Sequence, residues 1–179
     1  MGTSVTISAA TDQEAEQILK LQYLCYQQEA ALHDDYGIEP LTQTLQALRA
    51  ELGEGCVVVA RLGEEVVGSV RGTVGEDGTA RIAKLIVHPR LRRHGLGGRL
   101  LDAVERQLAD EHAALRYRLF AGQRDGNLRL YRSHGYASVA TEESGSRRGV
   151  VTLEKDAVRQ VAPVAAPAGP GVGELAAQA

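Results

Sequence analysis

A run of residues near the middle of the chain has the composition of a phosphate-binding loop. Residues 92–99 are Arg-Arg-His-Gly-Leu-Gly-Gly-Arg, preceded by Leu-Ile-Val-His-Pro and followed by apolar residues at helical spacing. This pattern predicts a buried strand, a turn and an amphipathic helix. The first amides of a helix have no partner within it and lie at the positive end of its dipole. They can therefore bind an anion, and glycines let the backbone approach it closely.

Two common phosphate-binding loops do not match these residues. A Walker-type loop ends in Gly-Lys-Ser/Thr, whereas this chain has Gly97, Gly98 and Arg99. A dinucleotide-binding loop needs a third glycine where Leu100 stands. The pattern that remains is R-x-x-G-x-G, which begins at Arg92.

A second segment follows at residues 127–136, with the pattern Asn-x-x-x-Tyr-x-x-x-Gly-Tyr. It predicts a short helix that ends at Gly135. Loop and segment together resemble the GNAT family of N-acetyltransferases, whose loop amides hold the pyrophosphate of coenzyme A and whose helix tyrosine lies near its sulfur. The resemblance covers residues 5–155 and implies acetyl-CoA as cosubstrate, with no metal.

The resemblance also implies the site residues. The amide of Val87 would hold the thioester oxygen, and Tyr131 would be the catalytic residue, a general acid for the departing thiolate. Packing in the core is the alternative role for Tyr131. Asn127 either caps the short helix or hydrogen-bonds the pantetheine arm. The residues expected to contact the cofactor are Leu85, Ile86, Val87, Arg92, Arg93, His94, Gly95, Leu96, Gly97, Gly98, Arg99, Asn127 and Tyr131.

The base that takes the proton of the attacking amine is not evident from the sequence. Many members of the family use a glutamate near the central strand, but residues 80–88 hold no carboxylate and Lys84 stands in that region. An acidic set after the first helix could attract a cationic amine and supply the base, or it could be an ordinary solvated helix end. That set comprises Glu29, His33, Asp34, Asp35 and Glu39.

The order of predicted elements is β-α-α-β-β-β-α-β-α-β-β, and the second helix is expected over residues 41–52. The fold class is α/β (α+β), the GNAT fold: a mixed central sheet of about six to seven strands flanked by about four helices. Residues 1–155 are expected to form this single domain. Residues 156–179 are rich in alanine, proline and glycine, which predicts a disordered tail.

Composition excludes several classes of partner. A net charge of −3 argues against a nucleic-acid or membrane-surface binder, and no apolar run approaches the roughly 18 residues that span a bilayer. Cys25 and Cys56 match no metal or disulfide spacing, so reduced core cysteines in a cytoplasmic protein are expected. Because neither lies in the coenzyme A segments, no acetyl-cysteine intermediate is expected.

These observations favour an acetyl-CoA-dependent transferase that moves the acetyl group directly to a primary amine of a small molecule or a protein. A non-catalytic acyl-CoA sensor on the same fold is the main alternative. Transfer to the amine of a charged tRNA is a third, although the chain offers few clustered arginines for RNA. A homodimer is possible by the same resemblance.

Overall fold

The structure is a computed structural model that describes residues 4–123, 125–144 and 148–158. Within these ranges the chain forms seven strands and five α-helices. The strands are β1 (Val5–Ala9), β2 (Cys56–Leu62), β3 (Glu65–Val74), β4 (Thr79–Val87), β5 (Arg116–Gly122), β6 (Ala137–Ser144) and β7 (Arg148–Asp156). The helices are α1 (Ala15–His33), α2 (Glu39–Thr42), α3 (Leu45–Glu54), α4 (Leu96–His112) and α5 (Leu128–Ser133).

The strands form one mixed sheet in the order β1-β2-β3-β4-β5-β7-β6. Each neighbouring pair is antiparallel except β4 and β5, which are parallel and joined by the crossover helix α4. Those two strands pair over three positions, from Thr79 opposite Arg116 to Arg81 opposite Arg118. Beyond Arg81 they diverge, which leaves a gap in the middle of the sheet. The mixed α/β fold predicted from the sequence is confirmed.

Helices cover both faces of the sheet, and β2 shows why. Its five residues from Cys56 to Ala60 are buried on both faces because side chains alternate along a strand. Cys56, Val58 and Ala60 pack in the core under α4, while Val57 and Val59 pack under α1 and α3. An apolar run of this kind is typical of a strand between two layers of helices.

Helix α4 lies unusually close to β3. A Cβ placed on Gly68 would come within 2.8 Å of the Leu100 side chain, and one on Gly72 within 2.6 Å of the Leu108 side chain. Both leucines are fully buried, as the periodicity of this helix predicts. The two glycines therefore let the helix sit low on the sheet, with its first turn beside the end of β4.

The prediction of one helix over residues 41–52 is wrong. The chain forms α2 and α3 instead, and they are separated at Gln43 and Thr44. The Thr44 hydroxyl accepts a hydrogen bond from the Ala47 amide at 3.1 Å and so begins α3 as an N-cap. Pro40 lies in the first turn of α2, where its missing N–H costs no hydrogen bond. The structure therefore has five helices where about four were expected.

The last two strands are longer than their sequence pattern suggests. Strand β7 ends at Asp156, so the sheet reaches one residue beyond the expected domain boundary. The predicted disordered tail lies almost wholly outside the described residues. Among the helices that the structure describes, none has an apolar stretch of the length needed to traverse a bilayer.

The close approach of α4 to β3 predicts a specific response to an added methyl group. Gly72→Ala should destabilise the protein by about 1–3 kcal/mol, because its Cβ would overlap three atoms of buried Leu108. Gly53→Ala on α3 is the matched control: its Cβ meets nothing within 4 Å, so stability should stay level or rise by up to about 1 kcal/mol. Urea unfolding measures both, and equal stabilities would contradict this account of the packing.

Candidate active site

The gap between β4 and β5 opens into a cleft of about 1520 Å³. One side consists of residues 82–87 of β4, and the other of β5 residues together with the segment that leads into α5. Helix α1 closes a third side. The structure brings the following sequence-predicted residues to its lining: Leu85, Ile86, Val87, Arg92, Arg93, Gly95, Leu96, Gly97, Gly98, Asn127 and Tyr131.

The backbone of Val87 faces this cleft. In an antiparallel pair, residues that exchange hydrogen bonds alternate with residues that do not. The His88 amide donates to the Val67 carbonyl at 2.8 Å, and Val87 lies opposite Gly68, the next position. The N–H and C=O of Val87 therefore point away from β3, toward the gap that β5 has left. A strand amide without a strand partner is available to a carbonyl oxygen in the cleft.

The first turn of α4 supplies further free amides. Gly95 precedes the helix with a φ of +75°, and its carbonyl accepts the first helical hydrogen bond, from the Arg99 amide at 3.2 Å. The amides of Leu96, Gly97 and Gly98 come before that bond and have no partner within the helix. A Cβ on Gly95 would meet nothing within 4 Å, so the space over the loop is open. These groups match a bound diphosphate in charge and in access.

Two of the four basic residues in the loop reach the cleft. Arg92 donates to the Val87 carbonyl at 3.4 Å and to the Gln28 side chain at 3.3 Å, and Arg93 lies beside it in the lining. The Arg99 guanidinium instead donates to the Val5 carbonyl at 3.2 Å, on the side of β1. His94 is likewise outside the lining. Cofactor contacts by these four residues remain predictions.

Tyr131 lies on α5 at the wall of the cleft and is 7% exposed. Burial raises the pKa of its hydroxyl, with a further rise from the charge of Asp125 and an opposing effect of the Asn127 side chain. The hydroxyl therefore stays protonated at physiological pH and can donate. Asn127 makes no side-chain capping bond to α5, so the capping role considered for it is not observed.

Tyr26 is a candidate that the sequence analysis missed. It lies on α1, lines the same cleft and carries a pKa raised by burial, by Glu29 and by Tyr131. The only signal in the sequence was its position in an apolar stretch of the first helix, which is equally typical of a core tyrosine. The structure thus places two protonated hydroxyls in one cavity.

Cys25 also lines the cleft, although it is far from the coenzyme A segments in sequence. Its Sγ lies 3.5 Å from the Val87 carbonyl oxygen. Distance along the chain was therefore a poor reason to set Cys25 aside, because α1 packs across the end of β4. Burial raises the pKa of its thiol, with Arg92 acting in the opposite direction. A protonated thiol is a weak nucleophile.

The structure separates the members of the acidic set. Glu29 and Asp35 line the cleft, as does Asp125 from the other side. Glu39 instead forms an ion pair with Lys84, whose ammonium lies 2.9 Å from a carboxylate oxygen of Glu39. Asp34 ends α1 in a left-handed conformation, and the side chain of His33 lies outside the described residues.

A buried polar cluster lies beside the cleft and was not predicted from the sequence. Arg71 on β3 is 7% exposed and binds Gln22 at 2.6 Å, Gln43 at 3.1 Å and Glu51 at 2.8 Å. Burial lowers the pKa of the Arg71 guanidinium, while Glu51 and Glu39 oppose the shift. An arginine inside an otherwise apolar strand was the available signal, because a buried charge requires partners.

Divergent parallel strands, a free strand amide and a helix N-terminus at one cleft are features of an enzyme that binds an acyl-coenzyme A. A family model described as the acetyltransferase (GNAT) family matches residues 15–136. This range is more than half of the chain, and the chain belongs to that family. A search of curated proteins by sequence finds no match.

Solved structures of the same fold align with this chain over almost their whole length. PaiA N-acetyltransferase from Thermoplasma acidophilum, in complex with coenzyme A, has a TM-score of 0.69 at 15% identity and covers 86% of this chain and 99% of its own. YncA from Salmonella typhimurium, with its cofactor acetyl-CoA, has a TM-score of 0.70 at 19% identity and covers 91% of this chain and 99% of its own. The ribosomal-protein-S18-alanine N-acetyltransferase from Escherichia coli has a TM-score of 0.69 at 12% identity and covers 90% of this chain and 99% of its own. At these identities the likeness shows the fold alone.

The environment of Cys25 predicts how its thiol reacts. In a Cys56→Ala variant, which leaves Cys25 as the sole cysteine, alkylation by iodoacetamide should be slow at pH 7 and should still be rising beyond pH 9. The thiolate is the reactive form, and burial holds the pKa of this thiol above its ordinary value. A short cysteine peptide is the control. A rate that levels off below pH 8 would contradict the assignment.

Proposed function

We propose that the protein is an acetyl-CoA-dependent N-acetyltransferase that moves the acetyl group directly to the primary amine of a small molecule. The observation that carries the proposal is the meeting of the Val87 backbone, the α4 N-terminus and Tyr131 at one cleft. Acetyl-CoA supplies an activated acetyl group in the form of a thioester.

The chain's own groups divide the work along the cleft. The free amides of Leu96, Gly97 and Gly98 would bind the diphosphate, with Arg92 and Arg93 adding positive charge at the same end. The Val87 amide would donate to the thioester oxygen, where negative charge grows during transfer. The Val87 amide and the α4 amides are held by strand or helix backbone, which favours a fixed geometry.

Tyr131 would act on the leaving sulfur. A thiol of the cysteine type has a pKa of roughly 8.5, and its thiolate is stabilised by a nearby hydroxyl that donates a proton or a hydrogen bond. Burial keeps the Tyr131 hydroxyl in the protonated form that this role requires. Direct transfer is favoured over an acetyl-cysteine intermediate because the pKa of Cys25 is raised.

The charge of the lining supports an amine as acceptor. Glu29, Asp35 and Asp125 also line the cleft. Their carboxylates attract a protonated amine, and Glu29 is the proposed base because its charge acts on both cleft tyrosines. A protonated amine must lose its proton before it attacks, and a carboxylate can accept that proton directly or through water.

A non-catalytic acyl-CoA sensor is the second candidate. The observation in its favour is Lys84, which stands on the central strand where many members of the family have a glutamate base and is bound to Glu39. A sensor would bind acetyl-CoA in the same cleft and would show no transfer to any amine. Thiol release in the presence of an amine therefore distinguishes the two functions.

Thermal unfolding with and without acetyl-CoA tests the cofactor. At a concentration near 100 times the dissociation constant, acetyl-CoA should stabilise the protein by roughly 2.7 kcal/mol. A double variant, Gly95→Glu with Gly97→Glu, should lose this effect because two carboxylates would occupy the anion site. Gly53→Glu adds the same kind of charge on α3 and should keep it. An unchanged melting temperature in the wild type would refute cofactor binding.

Tyr131→Phe tests the enzyme against the sensor. The substitution should lower the rate of thiol release in the presence of an acceptor amine by about 10²–10⁴-fold, because the proton donor is lost. The stabilisation by acetyl-CoA should hardly change. Tyr36→Phe is the control, since that tyrosine is 58% exposed. Thiol release by Tyr131→Phe at the wild-type rate would remove the acid from the proposal, and a wild type without release would favour the sensor.

A further inference from the structure

Lys84 has a backbone conformation that is rare for a residue with a side chain. Its φ is +53°, in the left-handed region. Ser69 lies opposite Ile86 and Arg71 opposite Ala83, so Lys84 and Leu85 together face one residue of β3. This is a β-bulge, which bends a strand and redirects its side chains. A strained residue of this kind persists where its surroundings hold it in place.

The side chain of Lys84 is held at three atoms. Its ammonium lies 3.0 Å from Glu39 Oε1, 2.9 Å from Glu39 Oε2 and 3.1 Å from Gln43 Oε1, and the side chain is 13% exposed. These contacts hold the Lys84 ammonium at the segment that contains α2.

The partners of Lys84 belong to the segment that contains α2. Gln43 also accepts from Gln22 at 3.0 Å and donates to Glu51 at 2.8 Å, and Gln22 donates to the Pro40 carbonyl at 2.7 Å. These bonds connect a four-residue helix to α1, α3 and the sheet. A helix of one turn has little stability of its own, so its position depends on such contacts.

We propose that Lys84 is a positioning residue: its ion pair with Glu39 holds α2 against the bulge of β4 and thereby fixes the turn before α2, whose Asp35 lines the cleft. The bulge lies three positions before Val87, and Lys84 itself is among the lining residues. The effect on the acceptor amine rests on the proposed function, whereas the attachment of α2 does not.

Hydrogen exchange measures the attachment without cofactor or amine. The reporters are the amides of Leu41 and Gln43, which donate to Ile38 and Glu39 carbonyls at 3.0 and 2.9 Å. In Lys84→Met these amides should exchange about tenfold faster, because α2 opens more often. Lys84→Arg keeps a cation and should stay near the wild type. Lys20→Met, which removes an exposed lysine of α1, is the matched control.

Kinetics then separate a positioning role from a general loss of structure. With acetyl-CoA and the amine that gives the fastest thiol release, Lys84→Met should raise the KM for the amine about tenfold. The KM for acetyl-CoA and the stabilisation by acetyl-CoA should stay unchanged. Glu39→Ala removes the same ion pair from the other side and should repeat both results if Lys84→Met fails to fold.

Two results would overturn the inference. One is wild-type exchange at Leu41 and Gln43 in both Lys84→Met and Glu39→Ala. The other is faster exchange with an unchanged KM for the amine. A wild type that acetyl-CoA does not stabilise would instead refute the proposed function, while the exchange experiment would still decide whether Lys84 holds α2.

Discussion

The divergence of β4 and β5 is the constraint on which the site depends. Two parallel strands that pair over three positions leave the remaining backbone groups on their facing edges without a strand partner. Such groups need a partner, and here they face a cleft rather than another strand. The crossover helix α4 follows β4, and the residues that carry its free amides line the same cleft. The separated strands offer a free amide to a carbonyl oxygen, and the helix offers free amides to an anion. An acyl-coenzyme A contains both groups, a thioester carbonyl and a diphosphate.

The lining of this cleft carries side chains of both charges. Arg92 and Arg93 accompany the α4 N-terminus, whereas Glu29, Asp35 and Asp125 lie on the walls formed by α1 and the segment before α5. The two tyrosines are neutral, because burial and the nearby carboxylates raise the pKa of each hydroxyl. Side chains of both signs therefore share one cleft. Neutral hydroxyls within it can donate protons without adding a charge to be solvated.

The polar cluster around Arg71 shows how the segment that contains α2 is held against the sheet. Burying an arginine is costly unless its donors are satisfied, and here Gln22, Gln43 and Glu51 satisfy most of them. Gln43 also accepts a hydrogen bond from Lys84, so one set of bonds connects α1, α2, α3 and two strands. Hydrogen bonds require particular distances and angles, whereas apolar contacts tolerate small shifts. The cluster is therefore suited to fixing the position of a short helix that has little stability alone.

The sequence by itself determined the order of the strands, the helix that follows the loop and the family, because these depend on local patterns. The patterns are apolar periodicity, the R-x-x-G-x-G loop and Gly135, whose φ of +90° confirms the predicted helix end. It failed where residues distant in the chain decide the outcome. Thr44 and the burial of Gln43 divide a segment that apolar periodicity alone predicts as one helix. The bulge at Lys84 contains no glycine, so no residue type indicates its left-handed conformation. Cys25 and Tyr26 reach the cleft only because α1 packs across the end of β4. Local propensity acts over a few neighbouring residues, whereas a cleft is assembled from segments that only tertiary packing brings together.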